Sequence, residues 1–245
     1  MRLVSIQALR ATLIPAVAIA GVISTAPARG ADYNDVETRR ITREYAACVI
    51  KRDHRLASRA ILENSSNDQL MKKYSALISS ECLGQVAGGV EMKFTGDLYR
   101  YALADALVSV DFAKDGPTTF DDRLPLAHLL PPSEAERDAK LAVTKKSGKR
   151  DEIRKDFERA IGVTWLSQFG ECIVRDNPVA ARLWLLTKPD VPEEVSRVNA
   201  LRPAFSGCLG DMTLKFSKST LRGTVAINYY RLASATQRPV MGTSK

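Results

Sequence analysis

Apolar residues along 35–50 fall at Ile41, Tyr45 and Cys48 or Val49, the three- and four-residue spacing of one helix face. The stretch FERAIGVTWLSQFGECIV at 157–174 has the same pattern, with Phe169 standing before Cys172 as Tyr45 stands before Cys48. A second stripe follows each: Leu56, Ala60 and Ile61, then Ala180, Leu183 and Trp184. Third helices are predicted over about 68–82 and about 192–208. A fourth pair is announced by MKFT at 92–95 and LKFS at 214–217. Behind Thr95 come Tyr99, Ala102, Leu103, Ala106, Leu107 and Val110; behind Ser217 come Leu221, Val225, Tyr229 and Leu232. Such continuous stripes read as core. Runs of β-branched residues are scarce, so the class is all-α.

Capping residues mark the element ends. Asp176-Asn177-Pro178 offers a cap followed by proline at a first helical position, where its missing N–H costs nothing. In the earlier stretch Asp53 is the cap and His54 takes the place of the proline. Thr95 and Ser217 suit N-caps, and Phe94 and Phe216 are placed to staple onto Tyr99 and Leu221. Gly84 and Gly210 read as left-handed helix stops, and Pro203 as a kink or break.

The four cysteines carry the echo furthest. ACVIKRDHRLASRAIL at 47–62 and ECIVRDNPVAARLWLL at 171–186 lie 124 positions apart, and SSECLG at 79–84 matches FSGCLG at 205–210. Cys48 precedes Cys82 by 34 residues and Cys172 precedes Cys208 by 36. The midpoints are Ser65, inside ENSSND, and Asp190, inside TKPDVPEE. Residues equidistant from a turn meet across a helical hairpin, so Cys48 pairs with Cys82 and Cys172 with Cys208. Each bridge closes a loop worth roughly 4 kcal/mol in the chain-entropy model. Zinc and redox sites built on close CxxC pairs have no counterpart here.

The first residues change the setting. MRLVSIQALR carries two arginines and no acid, ATLIPAVAIAGVI is apolar, and Ala26-Pro27-Ala28 is a small-x-small pattern. That order is a secretory signal peptide, cut after Ala28. A cut after Ala31 would put Arg29 at the minus-three position. The apolar run is short of the ~20 residues a membrane helix needs, although an uncleaved N-terminal anchor is the alternative. The predicted organisation is 1–28 leader, 29–112 first helical unit, 113–156 a Pro-rich and then basic connector, and 157–245 second helical unit with a short disordered tail. Each of the two tandem related units has three to four helices and one internal disulfide. Export makes disulfides natural and nucleic acid an unexpected partner. The formal charge of +8 falls to +6 without Arg2 and Arg10, and acids are mixed among the bases. A periplasmic or secreted protein with a mildly basic surface is expected.

Recognisable chemistry is sparse. DFAKDGPTTFDD at 111–122 matches a calcium loop at Asp111, Asp115 and Gly116, but has Ala113 at the third position and ends in Asp122. SGKR at 147–150 lacks the first glycine and the hydroxyl of a phosphate loop. His54 reads as exposed and His128 as a satisfied loop residue. No GxSxG elbow nominates a serine, although a Ser-His-Asp triad assembled only in space is invisible at this level. No catalytic, cofactor-binding or metal residue is assigned and no cofactor is expected. Lys140, Lys145, Lys146, Lys149 and Arg150 form a basic stretch able to meet an envelope protein or an anionic surface.

The doubled signature, CVxxxDxxxA followed by SxCL and then KFS or KFT, resembles exported proteins of unknown function from sphingomonad-type bacteria. The resemblance spans most of the chain after the leader and implies no activity. Spacing near 34 residues is similar to tetratricopeptide arrays, but their tryptophan-leucine-glycine-tyrosine pattern is missing. The expected function is a non-catalytic binding or envelope-associated module, with a groove between the two units as the natural contact surface. The alternative is an envelope-directed hydrolase without a sequence motif.

Overall fold

The helical stripes become ten α-helices among the described residues of a computed structural model, which are 36–87, 97–210 and 217–236. They are α1 (Val36–Leu62), α2 (Asn67–Lys73), α3 (Ser80–Ala87), α4 (Leu98–Asp111), α5 (Glu134–Val143), α6 (Ser147–Asp176), α7 (Pro178–Leu186), α8 (Pro192–Ala200), α9 (Arg202–Leu209) and α10 (Lys218–Thr236). A 3-10 turn, Ser75–Leu77, separates α2 from α3. No described residue lies in a strand, and no described helix is long and apolar enough to cross a membrane. The chain is all-α and carries two disulfides.

Helix α10 explains the layering. Val225, Ala226, Ile227, Tyr229, Tyr230, Leu232 and Ala233 are all buried, and so are Arg222, Thr224, Asn228 and Arg231 between them. A helix covered all round belongs at the centre. It lies between α4 and α6, and α4 lies between α10 and α1. Secondary contacts are reciprocal: α1 touches α10, and α4 touches α7. Where α4 crosses α10, Gly223 abuts Tyr101, and a Cβ at 223 would fall on the Cβ and Cγ of that tyrosine. Only glycine lets the two backbones approach this closely.

The same burial register occurs twice. In α1 the buried residues are Tyr45, Ala46, Val49, Ile50, Ala57, Ala60 and Ile61. Adding 124 to each gives Phe169, Gly170, Ile173, Val174, Ala181, Trp184 and Leu185, all buried in α6 and α7. The sequence stripes had Leu56 and Ala180 inside; both are only half-buried, and the face is turned by one residue. Backbone breaks correspond as well. Asp53 is non-helical within α1 (φ −134°, ψ 49°), and Asn177 has φ −144°, ψ 77° between α6 and α7. Asn177 accepts from Ala180 N at 3.0 Å, as a cap does.

Both cysteine pairs are bonded within one half, with Cα–Cα separations of 5.7 Å for Cys48–Cys82 and 5.8 Å for Cys172–Cys208. The midpoints lie in the turns that close the hairpins. Each turn has one residue in the left-handed region, Asn64 (φ 52°) and Asp190 (φ 66°), the residue types that tolerate it.

Several expected elements differ. The third helix of the first half is not continuous: Ser66 caps α2 with a box to Gln69, and the chain breaks again before Ser80. Its counterpart is broken at Leu201, the break expected near Pro203, which stands in the first turn of α9. Gly210 does end α9 with positive φ, but Gly84 is helical inside α3, which runs on to Ala87. Ser217 accepts from Thr220 N at 3.1 Å and caps α10. Thr95, Phe94 and Phe216 lie outside the described residues; α4 begins at Leu98 with Asp97 in the cap position. Finally, α6 runs unbroken from Ser147, so the end of the expected connector, 147–156, and the Cys172 helix are one element.

Candidate functional site

A proline-rich strap, residues 112–133, crosses from α4 to α5 without regular structure. Its backbone polar groups therefore need side-chain partners, and α6 supplies most of them. Arg175 donates from Nη1 to the carbonyls of Phe120 (2.8 Å) and Arg123 (3.1 Å), and from Nη2 to Leu124 (2.7 Å). Its Nε donates to Glu171 Oε1 at 2.7 Å. Glu171 in turn accepts from Leu126 N at 3.0 and 3.2 Å and meets His128 Nε2 at 2.7 Å. Two turns earlier, Thr164 donates to Leu129 O at 2.6 Å. From elsewhere, Asn64 in the first hairpin turn and Arg231 on α10 both donate to Ala127 O, at 3.1 and 2.7 Å.

Inside this clamp, sequence reasoning could not see one constellation. His128 Nδ1 lies 2.8 Å from Ser167 Oγ while Nε2 faces Glu171. A carboxylate only accepts, so Nε2 carries the proton of that contact, and Nδ1 meets the serine hydroxyl. Serine, histidine and acid are thus joined in the order of a hydrolase triad. The surroundings differ from a triad's. Ser167 is 8% exposed and sits in the middle of α6, where neighbouring N–H groups are committed to the helix ladder. The mid-helix backbone around Ser167 therefore offers no free N–H to an oxyanion. Every member also holds the strap or its helix. The arrangement fixes the strap and its histidine, as expected of a satisfied loop residue.

The other histidine is tied too. His54 Nε2 meets Asp111 Oδ1 at 2.7 Å, and Tyr230 donates to Asp111 Oδ2 and shares a hydrogen bond with Ser58 Oγ, both at 2.8 Å. Burial pushes the Tyr230 phenol well above its usual range and the Tyr229 phenol up to about 12. Asp111, the first position of the calcium-like loop, has both oxygens engaged in this way. Gly116 of that loop packs on Tyr229 and Arg182, and Asp122 pairs with Arg123 at 3.3 Å. No cluster of three or more potential metal ligands occurs among the described residues.

A second set of arginines holds the hairpin turns. Arg222, 6% exposed, donates to Asp105 (3.0 Å), Glu194 (3.2 Å) and the carbonyls of Trp184, Leu185 and Thr187 (3.3, 2.6 and 2.9 Å). Arg43 reaches the same Thr187 carbonyl at 2.9 Å, and burial lowers its pKa. Arg39 pairs with Asp190 in the turn. In the first half Arg100, 122 positions before Arg222, donates to Ser65 O at 3.2 Å. Burial, with Arg100 as a like charge, lowers Arg231 to about 10. The recurrence of arginine one place after Tyr99 and after Leu221 was the available sequence signal.

Two surfaces are open. Leu183, Leu186, Val191 and Pro192, with Lys188 and Arg197, line a groove of about 480 Å³ at the α7–α8 corner. It lies within the second half. The other surface is a hairpin formed by α5 and the start of α6. No residue of α5 is buried, and α5 packs against α6. A thin seam holds the hairpin: Arg150 donates to Leu141 O at 3.0 Å, and the Arg137 guanidinium lies 4.7 Å from the Phe157 ring centroid. The first buried residue of α6 is Ser167. Lys140, Lys145, Lys146 and Lys149 are exposed around the hairpin's turn, with Arg150 half-buried beside them. Arg154 pairs with Asp151 at 2.9 Å.

No protein-family model, no curated protein and no solved structure matches this chain.

Proposed function

We propose that the chain is an exported periplasmic protein that acts without catalysis, as a binding or envelope-associated module. The order of residues 1–28 supports a leader removed after Ala28, and two disulfides suit an oxidising compartment. The projecting α5–α6 hairpin carries the reading. A fold that covers α10 on every side leaves α5 with no buried residue. An element that contributes so little to the core is free to serve a contact. The test is a photo-crosslinking residue at Val143, with products identified after irradiation in the periplasm. Adducts to one envelope component are expected; a purified chain that turns over envelope material, and loses that turnover in Ser167→Ala, refutes the reading.

One observation favours the second reading, an envelope-directed hydrolase: the Ser167–His128–Glu171 order of contacts. Its serine would have to emerge from the helix face and gain oxyanion donors. Labelling by a fluorophosphonate separates the two readings. A labelled Ser167 supports the hydrolase, and an unlabelled one supports the clamp.

A further inference from the structure

The turn of the hairpin has a charge distribution that its shaft lacks. From Lys140 to Arg150 the residues are KLAVTKKSGKR, five cations and no acid. The nearest aspartates on either side have local partners. Asp138 pairs with Arg137 at 2.8 Å, Asp151 with Arg154 at 2.9 Å and Asp156 with Arg159 at 2.8 Å. Glu136 accepts from Ser133 N at 2.7 Å in its capping box. Lys145, Lys146 and Lys149 make no ion pair among the described residues. The sequence as a whole mixes its charges, whereas the folded hairpin gathers uncompensated cations at one end.

That end is also apolar at one point. Val143 is 80% exposed, and lies between Lys140 and the Lys145–Lys146 pair. The shaft keeps it clear of the core: at a rise of 1.5 Å per residue, 147–162 sets the turn about 24 Å from Val163. Cations around a single exposed apolar side chain match a bilayer interface, with phosphates at headgroup level and hydrocarbon below. Nucleic acid would call for a cationic track with exposed rings. The hairpin's Phe157 is instead covered by Arg137.

Resting on the reading of the chain as a binding module, we infer that the α5–α6 turn docks on an anionic phospholipid surface. Lys140, Lys145, Lys146, Lys149 and Arg150 meet the phosphates, and Val143 enters the interface. Each basic residue near an anionic membrane contributes about fivefold to partitioning, so three contribute about a hundredfold.

The experiment uses the oxidised full chain after leader removal, with vesicles of phosphatidylcholine alone or mixed with phosphatidylglycerol. Co-sedimentation is expected with the anionic vesicles only, and is expected to be lost at about 0.5 M salt, where screening is several times shorter-ranged than in dilute buffer. Lys145→Gln/Lys146→Gln/Lys149→Gln is expected to weaken binding about a hundredfold with unchanged thermal unfolding. Val143→Ser tests the apolar contact alone, as weaker binding with the salt dependence retained. Equal binding to both vesicle types, or wild-type binding by the triple variant, overturns the inference. So does absence of vesicle binding while Val143 crosslinks to an envelope protein; that outcome leaves the binding-module reading in place.

Discussion

Replacing Arg222 with methionine removes the cation at the centre of the second half. The guanidinium serves two carboxylates and three carbonyls, and both acids are only 6% exposed. Methionine is close in volume, so little cavity forms and the loss is electrostatic. At an effective dielectric near 20, a charge pair about 3 Å apart interacts by about 5 kcal/mol before desolvation. Most of that offsets the cost of burying the charges, and removing one partner of such a set costs about 3–5 kcal/mol. For a chain of this size that corresponds to a fall in melting temperature of about 10 °C. Urea unfolding followed by tryptophan fluorescence measures it well, since Trp184 lies 5.9 Å from the guanidinium. The midpoint is expected to fall with the slope unchanged. Arg222→Lys keeps the charge but has no fork to reach five acceptors, and recovers less than half. Adding Asp105→Asn and Glu194→Gln to Arg222→Met removes the stranded charges and restores much of the loss. A single variant within 1 kcal/mol of wild type, or a triple variant less stable than the single one, refutes the reasoning.

Three further outcomes are expected. Gly223→Ala drives a methyl into Tyr101 and costs about 1–3 kcal/mol, whereas Gly84→Ala, helical and with open space around its Cβ, stabilises by up to ~1 kcal/mol; equal effects in chemical denaturation refute the packing. Removing either disulfide as a serine pair lowers stability by about 4 kcal/mol, as loops of similar length predict, and a bridge joining the two halves in non-reducing peptide maps contradicts the fold. Alkaline titration reads the buried phenols: Tyr229 has its pKa raised to about 12 by burial, and Tyr99 and Tyr230 are raised as well. The unfolded chain loses these protons from about pH 10 while the folded chain holds them, so folding stability falls between pH 10 and 12. Absorbance at ~295 nm should show part of the tyrosine signal only on unfolding, and full ionisation of a still-folded chain contradicts the burial.

Much of the fold was legible because helices and their ends are local. The cysteine spacing located both turns, and Asn177, Ser217 and Gly210 ended or began the helices they were expected to. What failed was also local but competitive: Ser66 and Gln69 form a capping box that starts a new helix inside a stripe read as one, and Gly84 keeps a helical φ because α3 continues past it. The clamp was a different matter. Glu171 and Arg175 stand in the quoted stretch ECIVR, four apart on one helix face, yet their partners lie 43 to 55 residues away on an irregular strap. No period links a helix to the loop it holds. The basic stretch was visible in composition, but only folding paired the neighbouring aspartates with arginines and left Lys145, Lys146 and Lys149 without an ion pair among the described residues.

The two bridges join cysteines that are consecutive along the chain. When a polypeptide emerges amino end first into an oxidant, the first thiol to appear meets the second before the third exists. Joining thiols in order of arrival therefore makes both correct cross-links at the first attempt. A chain wired this way has no need of an isomerase to reshuffle wrong partners, and its oxidation should be as complete in cells lacking that enzyme as in cells that have it.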